Sequence, residues 1–383
     1  MFNAPLLQTI NDANTPYYYY DTNVLVNTLK ALNKASVSKN YHVHYAMKAN
    51  SNTPILNLIK KHNIGIDCVS GNELILALNE GFEASKIAFA GVGKTDEEIN
   101  LAIKHDILSI NCESIQEIQV INELAQLQNK TVNISIRINP DLDAGTHPNI
   151  TTGTQLNKFG ISVETLDSAI DICNNLPHVN LNGIHFHIGS QIRSKTPYML
   201  LCKKVNSIVK SVLLKGVALE LVNLGGGLGI NYTDPDSEMI PDFENFFSIF
   251  SANLELPKNI SVHFELGRSI VGQCGSLITK TLFTKGNDSK QFVIVDAGMT
   301  ELMRPALYNS VHKIQNLSST KPHKMYEVVG PICETTDTFD KQVSLPETTR
   351  GDLLIIRSVG AYGEVMASNY NLRVKPLAYY SLN

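Results

Sequence analysis

The stretch HYAMKANSN (residues 44–52) places one lysine, Lys48, at the end of a mainly apolar run. Burying an ammonium group without a partner is costly, so this amine either reaches solvent or is held in a pocket. Lysine is mostly a surface residue, which favours the solvent-exposed interpretation for an isolated case. A lysine held in a pocket can instead form a Schiff base with a carbonyl compound.

A carboxylate and a basic side chain lie close together in another apolar run, VHFELGR (residues 262–268), which contains Glu265 and Arg268. An unpaired carboxylate at an apolar strand end is costly, so Glu265 needs a cation. A protonated ring nitrogen of a ligand meets this need, and so does Arg268 or another nearby base.

Three adjacent glycines, Gly225 to Gly227, lie in LGGGLG (residues 224–229). Adjacent glycines let backbone amides approach an anion closely, although a tight turn explains the motif equally well when it stands alone. The motif does not fit GxGxxG, and no complete P-loop signature GxxxxGK[ST] is present, which disfavours nucleotide binding. Because Arg268 adds a cation for the same anion, we favour a phosphate site.

Two histidines, His185 and His187, lie in HFHIGSQI (residues 185–192), with Ser190 close behind. In this run no further ligands are spaced for a metal site, so none is expected. A histidine at a strand end can lie flat against an aromatic ligand, or it can be structural, and Ser190 can donate to a phosphate.

A lysine for a Schiff base, a carboxylate for a pyridinium nitrogen and a phosphate-binding loop together describe a site for pyridoxal phosphate. A class I aldolase, or another Schiff-base enzyme on a barrel, needs the lysine and the phosphate site but not the carboxylate.

Eight short β-rich runs alternate with helical periodicity between about residues 41 and 268, which favours a (β/α)8 barrel over an open doubly wound sheet. The runs are YHVHYAMKA, IGIDCVS, KIAFAG, ILSINCE, VNISIRINP, LNGIHFHIG, LELVNLGGG and NISVHFELGR. The chemistry-bearing residues fall at or just after the carboxyl ends of these runs, which form the active-site face of such a barrel. They are Lys48, Asp67, His187, Gly225 to Gly227, Glu265 and Arg268. This regularity favours a catalytic Lys48.

The alternation of strands and helices ends after about residue 270, where KQFVIVDAG, KMYEVVGPI and GDLLIIRSVGAYG predict strands with few helices between them. PYYYYD near the N-terminus predicts a further strand. We therefore expect an α/β barrel domain over residues 27–270 and a mainly β domain over residues 271–383, joined by an N-terminal strand within residues 1–26.

Composition narrows the class of protein. The chain has 383 residues and a net charge of −4, which gives no reason to expect a nucleic acid or an anionic membrane as partner. No apolar run approaches the roughly 20 residues that span a bilayer, and no signal peptide is apparent, so a cytoplasmic protein is expected. The six cysteines are scattered without a CxxC pair, which argues against a zinc site and a disulfide framework.

The motifs, in their order, resemble the fold-type III pyridoxal-phosphate decarboxylases, and within them the diaminopimelate decarboxylases, over nearly the full length. The matching stretches are HYAMKAN, GIDCVSGNE, NPDLDAGTHPNITTGTQLNKFGI, HFHIGSQI, VNLGGGLG, ELGRSIV, DAGMTELMRPALY, VVGPICETTD and GAYGEVMASNYN. The resemblance implies the decarboxylation of meso-2,6-diaminopimelate to L-lysine and carbon dioxide, the last step of lysine biosynthesis.

The resemblance also implies how pyridoxal phosphate is held. Lys48 binds it covalently, His187 stacks on its ring and Glu265 pairs with the ring nitrogen. Its phosphate is bound with help from Ser190, Gly227, Gly267 and Arg268.

A homodimer with shared active sites is implied as well. The partner subunit supplies Cys333, the expected proton donor to the carbanion, and Glu334, although an isolated cysteine is usually a small buried hydrophobe. Tyr362 of GAYG contacts the cofactor phosphate or the substrate.

The resemblance assigns the far end of the amino-acid substrate to charged side chains. Arg304 and Tyr308 of MRPALY, together with Arg268, bind the distal carboxylate, and Glu334 accepts from the distal ammonium. Without the resemblance, Arg304 is more simply a surface salt-bridge partner.

Two features depart from the family. Leu266 stands where proline is usual, and the chain is rather short, but neither changes the expected chemistry. The rival functions are decarboxylation of ornithine, arginine or carboxynorspermidine. A non-catalytic regulatory homologue is disfavoured by the intact Lys48, Glu265 and Cys333. A racemase with a similar barrel is a further alternative, but such an enzyme would use a tyrosine base and lacks the CET motif that this chain has.

Overall fold

The computed structural model describes residues 13–142, 158–287 and 289–381. Residues 1–12 of the predicted N-terminal segment, and residues 143–157 within NPDLDAGTHPNITTGTQLNKFGI, lie outside the described residues.

The chain forms two compact units. The first, which we call the barrel unit, consists of Leu29–Gly229 and Asp242–Gly267. The second, the β unit, consists of the described residues up to Thr28, of Ile230–Pro241, and of the chain from Arg268 onward.

Eight parallel strands close into a barrel in the barrel unit. They are β1 (Tyr41–Ala46), β2 (Gly65–Cys68), β3 (Ile87–Phe89), β4 (Ser109–Cys112), β5 (Val132–Asn139), β6 (Val179–His185), β7 (Leu221–Asn223) and β8 (Ser261–Leu266). Each strand pairs with the next, and β8 pairs with β1 so that Glu265 lies opposite His44. The predicted (β/α)8 barrel is confirmed.

Helices alternate with the strands, as the apolar periodicity predicts. The α-helices before and within the barrel are Thr22–Val37, Thr53–Lys61, Gly71–Asn79, Asp96–Lys104, Ile115–Leu127, Leu166–Asn174, Thr196–Leu214 and Phe243–Asn253. Three of them start at a serine or threonine cap, Ser70, Thr95 or Ser114, whose side chain accepts the backbone N–H of a glutamate three residues later. Across the described residues, no helix is both long and apolar enough to span a membrane.

An aromatic cluster fixes the orientation of β8. The Phe264 ring packs against Phe247 and Phe250 of helix Phe243–Asn253, with ring centroids 5.0 and 4.8 Å apart. Successive side chains of a strand point to opposite faces. Glu265 therefore points away from this helix and into the barrel.

The β unit contains eight strands in its described residues. They are Tyr17–Tyr20, Gly275–Gly286, Gln291–Val295, Ile314–Asn316, His323–Val329, Thr338–Pro346, Leu353–Ile356 and Ala378–Tyr380. Short helices, Arg268–Val271 and Arg304–Tyr308, interrupt the strands. The mainly β character predicted for this part of the chain is confirmed. The buried strand Tyr17–Tyr20 pairs with Gly275–Gly286 and with Ala378–Tyr380.

A cavity of about 700 Å³ opens near the amino-terminal ends of the barrel strands. Its walls include three stacked histidines, His42, His44 and His263, and burial lowers the pKa of each imidazole. None of the predicted site residues lines this cavity. The cavity is therefore separate from the carboxyl ends of the strands, where Lys48, Asp67 and Glu265 lie.

Candidate active site

Lys48 lies in a single helical turn, Met47–Ala49, directly after β1. Its side chain is 37% exposed, and its Nζ donates to Oδ2 of Asp67, 2.8 Å away at the end of β2. The Asp67 carboxyl is fully buried. Burial and the nearby Glu265 charge raise the pKa of Asp67, and the Lys48 ammonium opposes that rise only in part. The amine is thus held at the end of the strand rather than extended into solvent.

Three buried donors surround Glu265. The Nε2 atom of His185 lies 3.0 Å from its Oε2, while Nδ2 of Asn223 and Nδ2 of Asn111 lie 2.8 and 3.3 Å from its Oε1. Within the described part of the chain, Nδ1 of His185 is buried without a hydrogen-bond partner, and a carboxylate only accepts, so Nε2 carries the proton of the hydrogen bond to Glu265. His185 therefore donates to the carboxylate.

The ionised form of Glu265 is favoured by this network. Burial alone would raise the pKa of Glu265, but His185 and Lys48 outweigh burial and hold the pKa below its ordinary range. The carboxylate is thus prepared to accept a further hydrogen bond from a protonated group.

His187 follows β6, and its Nδ1 accepts the backbone N–H of Gly226 at 3.2 Å. Burial, followed by the Arg137 and Lys48 charges, lowers the pKa of His187 to about 3. The imidazole is therefore neutral at ordinary pH. Ser190 lies on the loop that leaves the same strand.

The three glycines after β7 occupy positions where a side chain would be strained or would clash. Gly225 and Gly227 have φ angles of +67° and +102°, in the region that favours glycine. A Cβ atom on Gly226 would lie 1.9 Å from the backbone oxygen of Glu265. Among the described residues no group accepts the N–H of Gly227, so this donor is available to an anion.

Gly267 sits where β8 ends, and its position is similarly tight. A Cβ atom there would lie 3.0 and 3.1 Å from the Cβ atoms of Ala49 and Ala46. Lys48, between these two alanines, therefore lies beside the end of β8.

The β unit gathers two buried arginines around one tyrosine. Arg268 donates from Nη1 to the Tyr232 hydroxyl, and its guanidinium carbon lies 4.8 Å from the Tyr362 ring. The guanidinium carbon of Arg304 lies 5.0 Å from the Tyr232 ring and 5.8 Å from the Tyr308 ring. Arg304 is only 5% exposed, so it is not the surface residue that its sequence alone suggests.

Tyr362 has a backbone φ of +57°, which is unusual for an aromatic residue. Such outliers persist where surrounding structure holds them, and they cluster at functional sites. The unusual backbone conformation indicates that the surrounding structure holds the Tyr362 ring in its position beside Arg268.

Cys333 and Glu334 lie on an exposed segment between the strands His323–Val329 and Thr338–Pro346. Cys333 is a free thiol, and the other five cysteines are buried. Its backbone N–H donates to Asn371 at 3.4 Å, and Glu334 accepts from Thr336 at 3.4 Å.

The structure thus places the predicted residues in three groups: one at the strand ends of the barrel, one around Tyr232 in the β unit, and the exposed pair Cys333 and Glu334. Sequence reasoning missed three residues that complete the first two groups: Asn111, Asn223 and Tyr232. For Asn111 and Asn223 a signal existed, because both are polar residues inside runs predicted to be buried strands. In the part of the chain that the structure describes, no cluster of three or more histidine, cysteine or acidic side chains is arranged to hold a metal.

The sequence and the fold are both similar to those of known decarboxylases. Residues 24–272 match the family described as pyridoxal-dependent decarboxylase, pyridoxal binding domain. The diaminopimelate decarboxylase of Bacteroides thetaiotaomicron is 50% identical over 369 residues, covering 96% of this chain and 95% of that protein. That of Aquifex aeolicus is 40% identical over 360 residues, covering 94% and 84%. The crystal structure of diaminopimelate decarboxylase from Helicobacter pylori complexed with L-lysine superposes with a TM-score of 0.93 at 38% identity, covering 99% of this chain and 94% of that one.

Proposed function

The chain belongs to the pyridoxal-dependent decarboxylases and, within them, to the diaminopimelate decarboxylases, and from this premise we propose that it converts meso-2,6-diaminopimelate to L-lysine and carbon dioxide. The observation that carries the proposal is the 50% identity to a diaminopimelate decarboxylase over 96% of this chain. The reaction would be the last step of lysine biosynthesis, in the cytoplasm. Residues 27–270 are proposed as the cofactor-binding domain and residues 271–383, with the strand within residues 1–26, as the second domain.

The residues at the strand ends fit pyridoxal phosphate. Lys48 supplies an amine for covalent attachment, and the glycine loop leaves space and a backbone N–H for a phosphate. Glu265 is a buried carboxylate with room in its hydrogen bonding for a protonated ring nitrogen. When bound, pyridoxal phosphate withdraws the electron pair that carbon dioxide leaves behind.

The predicted cofactor-binding residues are proposed to have separate tasks. Asp67, with its raised pKa, takes up the proton that Lys48 must lose before its amine acts as a nucleophile. The neutral His187 ring would lie against the cofactor ring without adding a charge. Glu265 would keep the ring nitrogen protonated. The phosphate ligands are proposed to be Ser190, Gly227, Gly267 and Arg268, with Tyr362 at the phosphate or the substrate.

The proton transfer that follows loss of carbon dioxide is proposed to need a homodimer, in which each active site contains residues of both subunits. Cys333 of the partner subunit would donate the proton to the carbon that lost the carboxylate, and Glu334 of the partner subunit would accept from the distal ammonium. The exposure of Cys333, in contrast to the buried cysteines, supports this assignment because a thiol must be accessible to serve another subunit.

The substrate assignment is tested by assaying the purified protein with meso-2,6-diaminopimelate, ornithine and arginine. We expect carbon dioxide release to be fastest, by kcat/KM, with diaminopimelate. A higher kcat/KM for ornithine or arginine would overturn the substrate while leaving the decarboxylase class intact.

Gly226→Ala is expected to destabilise the barrel by about 1–3 kcal/mol and to weaken pyridoxal phosphate binding, because the new Cβ would collide with the Glu265 backbone. Thermal unfolding and cofactor titration measure the two effects. Gly93→Ala is the matched control, since a Cβ there meets nothing within 4 Å. Equal behaviour of the two variants would contradict the proposed role of the loop.

Mixing inactive Lys48→Ala and Cys333→Ala subunits is expected to restore activity. Random re-association makes half of the dimers hybrid, and one of the two sites in each hybrid has both residues, so roughly a quarter of the parent activity should return. Native mass spectrometry verifies that hybrids form. Hybrids without activity would refute the shared site.

A further inference from the structure

Arg304 is a buried cation without a carboxylate partner. Its side chain lies in the β unit beside Arg268, and in the described chain no aspartate or glutamate forms an ion pair with it. A buried, unpaired charge is costly, so a structure that keeps one is suited to an external anion. Under the proposed function, this anion is the distal carboxylate of diaminopimelate.

The Nε atom of Arg304 already has a partner. It donates to Nε2 of His312 at a distance of 3.3 Å, and His312 is itself buried. Nδ1 of the same imidazole lies 2.9 Å from the backbone oxygen of Arg357. A carbonyl oxygen only accepts, so Nδ1 must carry the proton and Nε2 must present its lone pair to Arg304.

The imidazole stays in this neutral form over the working range of pH. Burial, followed by the Arg304 charge, lowers the pKa of His312 to about 3. His312 therefore acts as a fixed acceptor rather than as a second cation.

Tyr232 contacts both His312 and Arg304. Its ring meets the His312 ring edge-on, with centroids 4.8 Å apart and planes at 71°, and it also lies 5.0 Å from the guanidinium carbon of Arg304. One face of the guanidinium is covered, and its Nε edge is held by His312. The two terminal nitrogens are left as the part of Arg304 that can bind a ligand.

We propose that His312 is a positioning residue for substrate specificity, which holds Arg304 by its Nε so that the two terminal nitrogens form a fork for the distal carboxylate. A carboxylate matches two parallel N–H donors of a guanidinium, but only if the guanidinium plane is fixed. The inference rests on the proposed function and adds a residue that does not itself touch the substrate.

The test compares His312→Phe, which keeps a ring but has no acceptor, with His312→Gln, whose amide oxygen can accept from Arg304. Three ligands are used: diaminopimelate, L-lysine and 1,5-diaminopentane. L-Lysine retains the carboxylate of the end that does not react, whereas the diamine has no carboxylate. Kinetics give KM and kcat for diaminopimelate, and calorimetry gives Kd for the other two.

For His312→Phe we expect KM for diaminopimelate and Kd for L-lysine to rise together by about tenfold or more, the size expected for a lost hydrogen bond to a charged group. The kcat value, the Kd of the diamine and the affinity for pyridoxal phosphate should stay near those of the parent. His312→Gln should recover most of the lost affinity. If His312→Phe does not fold, His312→Leu makes the same comparison, because it also lacks an acceptor.

Other outcomes separate this inference from the proposed function. Equal weakening of all three ligands, or no weakening of any, overturns the role of His312. If Arg304→Ala raises KM and His312→Phe does not, Arg304 binds the carboxylate but His312 does not position it. If the parent does not decarboxylate diaminopimelate, the proposed function itself fails.

Discussion

Lys48→Ala is expected to lower kcat/KM on the order of 10⁴-fold or more and to remove the visible absorbance of bound pyridoxal phosphate. Lys48 presents its amine at the end of β1, 2.8 Å from a buried Asp67 that can take its proton. Without the amine, only non-covalent contacts remain to hold the cofactor. Absorbance spectra and steady-state assays on the purified variant measure both effects.

Lys86→Ala is the matched control for this experiment. Lys86 is also 37% exposed, and its Nζ also lies 2.8 Å from a carboxylate, Glu83. It lines the cavity near the amino-terminal ends of the strands, away from the proposed site. We expect parent-like spectra and rates from Lys86→Ala, whereas normal turnover by Lys48→Ala would remove the basis of the mechanism.

The barrel could be predicted from sequence because its signal is repeated eight times and is local. Each run combines apolar residues with a following helical period, and an error in one run leaves the pattern intact. The ends of the elements were less predictable. The run YHVHYAMKA suggests that Lys48 ends a strand, but β1 stops at Ala46 and Lys48 lies in the next turn.

The hydrogen bonds around Glu265 could not be predicted. Its partners Asn111, His185 and Asn223 are 154, 80 and 42 residues away in sequence. A single sequence shows that Glu265 needs a partner, because an apolar strand end is a costly place for a charge. Only the closed barrel shows which side chains meet it.

The contacts of Arg304 with Tyr232 and His312 could not be predicted either. Without the family resemblance, Arg304 of MRPALY is more simply a surface salt-bridge partner, yet helix Arg304–Tyr308 buries its first arginine. Tyr232 belongs to Ile230–Pro241, which lies between two barrel strands in sequence but is part of the β unit. Nothing in the local pattern of Tyr232 or His312 indicates a contact with Arg304.

Arg304→Ala is expected to raise KM for diaminopimelate strongly while cofactor binding stays intact. Truncating one partner of a buried charge pair costs about 2–5 kcal/mol, which corresponds to a loss of roughly thirtyfold or more in kcat/KM. Arg304→Lys should recover only part of the loss, because an ammonium keeps the charge but lacks the fork. Steady-state kinetics and cofactor titration provide the measurements.

Arg350→Ala controls for the general effect of removing an arginine from the β unit. The Arg350 guanidinium carbon lies 5.0 Å from the Phe283 ring, the same distance as that between Arg304 and Tyr232, but Arg350 is exposed. Its loss should leave KM unchanged. An ornithine decarboxylase would have no distal carboxylate for a buried Arg304 to bind, so this arginine would be left unpaired at a cost. If Arg304→Ala decarboxylates diaminopimelate as well as the parent and Arg350→Ala do, the substrate assignment fails although the decarboxylase class stands.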